Sequence, residues 1–355
     1  MRILKILFIN IAIFLIGFSF LELFLRSYLT MKHYKNPYSN YWNKTWFRQS
    51  PANYITFDKE LKFKTKSNLS LKNVDLPRWE KNSDITINSL GFRDNRNNIK
   101  QKKNERILLV GDSITFGSQV TDENTWSSCL EKKINIKTDN AGVPGYSAGQ
   151  AVKRGDIESQ LREYSHIIWS IYFRDFRRDI NQKIIIKKNN LIKYNSPFQK
   201  NKTIENFNFL TKSYFFLKEY LFIIYYLDEK IFKIDFNKTT QEIDKKINIS
   251  EDNMLKEITK FLIEMFSKVP VKNKIILLQY LYIQPNDTKE NNPELYDIEL
   301  LRELVLEFAQ KYKIEVYDTN DVIKTFNEQE KKLLYFDHHT KIGNQMICDF
   351  ISSKL

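Results

Sequence analysis

From Arg106 onward the sequence alternates short apolar runs with longer amphipathic ones, and that alternation restricts the fold more than any other feature of the chain. The short runs lie at 107–110, 134–138, 166–172, 274–282 and 313–317. The first of them, Ile-Leu-Leu-Val, is apolar at every position, as a strand covered on both faces must be. Helices are expected between the runs, near 124–133, 148–163, 251–268 and 293–311, with a last one at 341–353. The helix after Ser250 is the clearest. Ser250 is a good N-cap, Glu251 and Asp252 suit the helix dipole, and Met254, Leu255, Ile258, Phe261, Leu262, Met265 and Phe266 form one apolar stripe. Asn292 and Pro293 have the same cap-and-start chemistry. Strands alternating with helices argue for a parallel sheet covered on both faces.

One stretch breaks the pattern. Between residues 177 and 249 lies an insertion whose segment 214–227 is apolar except for Lys218 and Glu219. It is too short to span a bilayer comfortably, so a core or lid helix is expected, with contact at a membrane surface as the other reading.

The amino terminus is different in kind. Arg2 and Lys5 precede about twenty mostly apolar residues, 6–25, which as a helix would cover roughly 30 Å of hydrocarbon. Asn10, Ser19 and Glu22 are the polar interruptions, and Glu22 is close enough to the end to snorkel. No small-residue cleavage site follows, so an uncleaved single-pass anchor is expected over 1–26. Arg26, Lys32 and Lys35 balance the positive-inside count; the signal-like form of the anchor places the body outside the inner membrane, facing the periplasm. Residues 27–104 are expected to be a β-rich juxtamembrane extension. Asp84 to Asn88 alternates like a strand, and Leu90-Gly91-Phe92 suggests a turn into a packed aromatic. The third region, 105–355, holds the alternating pattern.

Composition excludes some functions. The net charge is +13, but the lysines are scattered among Asn and Ile and form no basic stripe. Nucleic acid is therefore not expected as a partner; an anionic membrane surface or acidic polymer fits better. Cys129 and Cys348 are too few to indicate a redox compartment. There is no CxxC and no metal-ligand cluster in the sequence, so neither metal nor cofactor is expected. No motif names a protein partner.

Each strand end then delivers a candidate for chemistry. Gly111 permits a tight turn after the first strand, and Ser113 follows where a helix could begin, at the crevice where open α/β sheets bind ligands. Helix-start N–H groups there can stabilise a developing oxyanion. A serine at this place could also do no more than cap a helix, so the other strand ends matter. After the second comes Asn140-Ala141-Gly142-Val143-Pro144-Gly145, after the third Tyr172-Phe173-Arg174-Asp175, and before the last helix Phe336-Asp337-His338-His339-Thr340. Together they offer a serine, oxyanion donors and a histidine base. Gly145-Tyr146-Ser147-Ala148-Gly149 fits G-x-S-x-G, but no apolar strand runs into it; Ser147 is expected to cap the following helix.

GDSITFG at 111–117 resembles the first block of the SGNH (GDSL) hydrolases, and NAGVPGYS at 140–147 resembles their second. The paired histidines with Gly343 resemble the last block, NSLGFRDN at 88–95 is the lead-in, and the whole resembles most the membrane-anchored bacterial branch. The resemblance covers about residues 84–355. It implies a flavodoxin-like, three-layer α/β/α fold with a parallel five-stranded sheet, and acyl transfer in which histidine takes the Ser113 proton. Serine then attacks an ester, and the oxyanion sits on the N–H groups of Ser113 and Gly142. Water as acceptor makes an esterase and a sugar hydroxyl an O-acyltransferase; by family analogy the substrate is an O-acetylated cell-surface glycan.

Two departures from the family pattern stand out. Arg174 occupies the place of the usual third-block Asn, where its guanidinium could donate to the oxyanion or grip an anionic substrate. The last block is one residue short. Counting from Thr340 and Gly343 selects His338 as the base, whereas Asp337 read as Asp-x-His selects His339. Both stay open. The departures also admit a second function, a catalytically degenerate glycan-binding or assembly subunit.

Overall fold

The computed structural model describes residues 2–33, 54–58, 60–74, 80–97, 99, 105–181, 185–186, 192–193, 251–279, 294–336 and 338–355. The amino-terminal helix α1 runs from Arg2 to His33, and its Lys5–Tyr28 part is long and apolar enough to cross a membrane. Glu22, the acid that interrupts it, pairs at 2.6 Å with Arg26 one turn on, so the two polar side chains partner each other.

Ile55–Ser196 and Ile249–Leu355 make one compact unit. It begins with two antiparallel hairpins, β1 (Ile55–Asp58) with β2 (Lys62–Thr65) and β3 (Leu69–Val74) with β4 (Ser83–Ile87). The expected turn at Gly91 is present with φ 76°, and Phe92 behind it is fully buried. The next residue, Arg93, joins this segment to the main sheet. Its N–H donates to the Asn140 carbonyl at 2.9 Å, and its buried guanidinium meets buried Asp122 at 2.6 Å.

The main sheet holds β5 (Arg106–Val110), β6 (Lys137–Asn140), β7 (His166–Ile171), β8 (Asn273–Leu278) and β9 (Glu315–Asp318). All pairings are parallel, in the order β9-β8-β7-β5-β6. Side chains of a strand alternate between faces, and both faces here are apolar. Leu108, Val110, Ile167, Trp169, Ile171, Ile276 and Leu278 pack with α4 (Ala148–Leu161), α5 (Phe173–Asn181), α6 (Glu251–Ser267) and α7 (Glu294–Lys311). Ile107, Leu109, Ile168, Ile275 and Leu277 pack on the opposite face with α3 (Trp126–Ile134) and, after the short helix α8 (Glu328–Leu334), with the last helix α9 (Lys341–Ser352). The fold is the expected three-layer α/β/α.

Boundaries moved where backbone chemistry outweighed side-chain pattern. The apolar Ile134 belongs to α3, which ends only when Asn135 turns left-handed at φ 55°, so β6 starts at Lys137 rather than 134. Lys313, expected in the last strand, is also left-handed at φ 54°, and β9 starts two residues later. The expected strand 274–282 ends at Leu278, and its residues 280–282 lie outside the described residues. The apolar segment 214–227 lies outside them too. Helix α5 runs on to Asn181, into what the sequence pattern counts as insertion.

The two cysteines, separated by 219 residues, form a disulfide between α3 and α9. Their spacing gave no sign of it.

Candidate active site

In the order β7-β5-β6 the chain leaves β5 for one side and later crosses to the other, which opens a crevice at the carboxyl end of β5. Gly111 and Asp112 turn the chain there into α2 (Ser113–Phe116), a single turn closed by Gly117 at φ 75°. Gly111 has to be glycine, because a Cβ would meet Thr115 Oγ1 at 2.1 Å and the Ser170 carbonyl oxygen at 2.8 Å. Asp112 caps the turn: its Oδ1 accepts the Ile114 N–H at 2.8 Å. Ser113 is thus the first helical residue, its N–H one of those that no carbonyl of its own helix can reach.

The Ser113 Oγ lies 2.8 Å from His338 Nε2. The side chain of His339 goes elsewhere, its Nε2 lying 3.0 Å from Gln279 Oε1. The reason is local. Tyr335–Phe336 and His338–His339 pair as an antiparallel ladder, with Phe336 opposite His338 and Tyr335 opposite His339. Successive residues of a strand face opposite sides, so only one of two adjacent histidines can face the serine. Gln279, just past β8, passes its other amide group to Ser170 Oγ on β7 at 2.9 Å. Gln279 Oε1 can only accept, so His339 must donate from Nε2 and has no proton acceptor to offer there. Burial, with neighbouring His338 adding to it, pushes the His339 imidazole down to about 4. Asp337 lies outside the described residues.

The histidine segment is held from below. Thr340 caps α9 by accepting the Gly343 N–H at 3.2 Å. A Cβ on Gly343 would stand 2.1 Å from the Leu334 carbonyl oxygen. Asn344 donates to the carbonyls of His339 and Thr340, each at 3.0 Å, and accepts the Trp126 N–H at 3.0 Å. The Trp126 indole N–H in turn reaches the Ile114 carbonyl at 3.3 Å. A chain of hydrogen bonds therefore runs from the serine's helix through α3 to the histidine segment, and the Cys129–Cys348 bond fastens the same two helices one turn further along.

The loop after β6 lies against α2. A Cβ on Gly142 would meet the backbone nitrogen of Phe116 at 2.4 Å, which only glycine avoids. The Gly142 N–H, assigned to the oxyanion by the resemblance, donates here to Asn140 Oδ1 at 3.1 Å. Asn140 itself donates to the Thr115 carbonyl at 2.8 Å and to Ser127 Oγ at 2.9 Å, so it is fixed in place. An oxyanion would have to share the Gly142 N–H with it. Ser147 is the N-cap of α4, with a reciprocal cap from Gln150, as expected.

A second arginine, Arg178, reaches the serine's turn. Arg174 is exposed, its guanidinium over the rings of Tyr172 and Phe173 at 5.9 and 5.8 Å. Arg178, one helical turn later, extends Nη1 to Asp112 Oδ2 at 3.2 Å, to Asp175 Oδ1 at 2.6 Å and to the Tyr146 carbonyl at 2.7 Å. Asp175 is fully enclosed and also accepts the Tyr172 N–H at 3.1 Å. Burial raises its carboxyl well above the usual range and the nearby Asp112 carboxylate raises it further, against the pull of Arg178. Burial lowers the Arg178 guanidinium, but the two carboxyl groups outweigh it and hold it above its ordinary value.

Sequence reasoning missed Arg178, Gln279, Asn140, Asn344 and the disulfide. The i, i+3 spacing of Asp175 and Arg178 was a usable signal, and so was the place of Gln279 directly after an apolar strand.

No protein-family model matches the chain and no curated protein does. Among solved structures it is similar to a member of the lipolytic protein G-D-S-L family from Veillonella parvula, at 14% identity and TM-score 0.41, over 70% of this chain and 96% of that one. A lipase/acylhydrolase from Enterococcus faecalis gives 14% and 0.38, over 70% and 94%. A catalytic mutant of an acetylxylan esterase from Geobacillus stearothermophilus gives 14% and 0.39, over 72% and 95%.

Proposed function

We propose that the protein is a membrane-anchored serine acyl hydrolase or O-acyltransferase, with Ser113 as nucleophile and His338 as base. The observation that carries this reading is the 2.8 Å approach of His338 Nε2 to Ser113 Oγ at the carboxyl end of β5. At that distance Nε2 takes the hydroxyl proton while Oγ bonds to the ester carbonyl carbon, and the carbonyl electron pair moves to oxygen. The oxyanion rests on the Ser113 N–H at the start of α2 and on the Gly142 N–H, shared with Asn140. When the carbon–oxygen bond of the leaving alcohol breaks, His338 returns the proton to that oxygen. Water, or a sugar hydroxyl, then gives a proton to His338 and takes the acyl group from Ser113, whose Oγ receives that proton from His338 as its bond to the acyl carbon breaks. No step is routed through Asp337. The substrate class is an ester, with acylated cell-surface glycans first in line from the sequence resemblance.

The anchor reading rests on α1, and the exported orientation is supported by the Cys129–Cys348 disulfide, which belongs in an oxidising compartment. A reporter fused after Leu355 is expected to be active only outside the cytoplasm.

The purified protein is expected to hydrolyse p-nitrophenyl acetate and to be labelled on Ser113 by a fluorophosphonate, with Ser113→Ala abolishing both and Ser147→Ala leaving labelling intact. The engagement of the Gly142 N–H by Asn140 favours a second reading, a non-catalytic glycan-binding or assembly subunit. A folded protein that neither labels nor hydrolyses any of several acyl esters decides for that one.

A further inference from the structure

Three strand-end turns build the serine side of the site, and one nitrogen touches all of them. Asp112 follows β5, Tyr146 stands in the loop after β6, and Asp175 opens α5 after β7; Nη1 of Arg178 lies within 3.2 Å of an oxygen on each. Nη1 has two hydrogens for three acceptors. The short bonds, 2.6 Å to Asp175 and 2.7 Å to Tyr146, take them, and Asp112 Oδ2 at 3.2 Å receives mainly the positive charge.

That charge falls where the chemistry is sensitive. Asp112 Oδ2 is 3.3 Å from Ser113 Oγ, so it competes with His338 for the hydroxyl proton. It also places negative charge beside the helix start where an oxyanion would form. Asp175, equally enclosed, adds a second carboxyl group. A guanidinium on Oδ2 makes that oxygen a weaker acceptor, leaves the serine proton to His338 and offsets the charge facing the oxyanion.

We propose that Arg178 is the positioning residue of the serine corner, tying the three strand-end turns together and balancing the Asp112–Asp175 carboxyl pair so that Ser113 is turned to His338. The proposal rests on the hydrolase reading above. It acts through Asp112, and Arg178 itself touches no reacting atom.

The test uses the full-length chain and four variants: Arg178→Gln, Arg178→Lys, Asp175→Asn and the double Arg178→Gln/Asp175→Asn. Arg178→Gln is expected to lower kcat for p-nitrophenyl acetate about 100-fold with KM nearly unchanged. Arg178→Lys keeps the charge and stays within about tenfold of the parent. The double variant removes one of the two crowded carboxyl groups along with the guanidinium, and is expected to regain at least about tenfold in kcat over Arg178→Gln, and to melt higher. A role limited to holding loops together predicts the reverse, since the double variant loses bonds at both partners. A double variant no better than Arg178→Gln, or Arg178→Gln within about twofold of the parent, overturns the proposal. Should Arg178→Gln not fold, a folded Arg178→Lys that loses about 100-fold overturns it, and one within about tenfold upholds it. If the parent neither hydrolyses esters nor labels, the hydrolase reading has failed. The melting temperatures then decide the charge balance alone, upheld when the double variant melts above Arg178→Gln and overturned when it does not.

Discussion

The serine corner and the histidine corner of this site are built on opposite principles. The serine corner is assembled from turns that leave neighbouring strands, with Asp112 and Gly142 just past strand ends and Arg178 on the helix that follows β7. The histidine corner is a two-residue ladder held by Asn344 just beyond it and by partners distant in the sequence, Gln279 and a disulfide from α9 to α3. The two also titrate in opposite senses. Asp175, on the serine side, is raised well above the carboxylate range, chiefly by burial; His339, on the histidine side, is pushed down to about 4 by burial. A site whose halves are fastened so differently should fail in two distinguishable ways.

The largest effect expected separates the adjacent histidines. His338→Ala should lower kcat by at least about 10⁴-fold, as loss of a general base coupled to a nucleophile does. His339→Gln should leave kcat within about tenfold while changing stability; equal kinetic losses from the two would erase the distinction between base and buried partner.

Next in size is the disulfide. Cys129→Ser with Cys348→Ser should cost about 2–5 kcal/mol of stability, because the bond closes a loop of 219 residues in the unfolded chain. Reduction should lower activity before it melts the body, since the helices it joins carry the histidine segment. Denaturant melts of oxidised and reduced protein, with hydrolysis assayed alongside, measure both.

The pH dependence sharpens the comparison further. With its folded value near 4 against an ordinary 6.5, His339 binds fewer protons folded than unfolded between those limits. Its contribution is full above about pH 6.5 and fades as pH falls towards 4, so His339→Gln should flatten the acid side of the melting curve. Asp175 behaves inversely. Its raised carboxyl binds more protons in the folded chain, so its contribution is full below about pH 3.8 and fades as pH rises through the folded value. Asp175→Asn should therefore gain on the parent in melting temperature as pH rises. The smallest effect belongs to Arg174, exposed over Tyr172 and Phe173, where replacement by Ala should change kcat less than about tenfold.

The same contrast explains what the sequence disclosed. The sheet was legible because Ile107–Val110 and its partners bury both faces and so read as continuous apolar runs. Ser113 and Gly142 were legible because strand-to-helix turns are local and use glycine at close approaches. The choice between His338 and His339 was not, because it depends on which side of a two-residue ladder faces α2, and pairing fixes that rather than composition. Arg178 was hidden by a boundary: α5 continues past the point where apolar patterning fades, and its tip carries the guanidinium to Asp112. Asn135 and Lys313 displaced strand starts for a similar reason, since a left-handed residue leaves no mark in hydrophobic period.

The central claim, that Ser113 is activated by His338, is tested most directly by locating a fluorophosphonate adduct by peptide mass spectrometry in the parent, His338→Ala and His339→Gln proteins. The account predicts the adduct on Ser113 in the parent and in His339→Gln, with labelling slowed by at least about 10³-fold in a folded His338→Ala. Labelling of Ser113 that proceeds at the parent rate without His338, or an adduct on another serine, would contradict it.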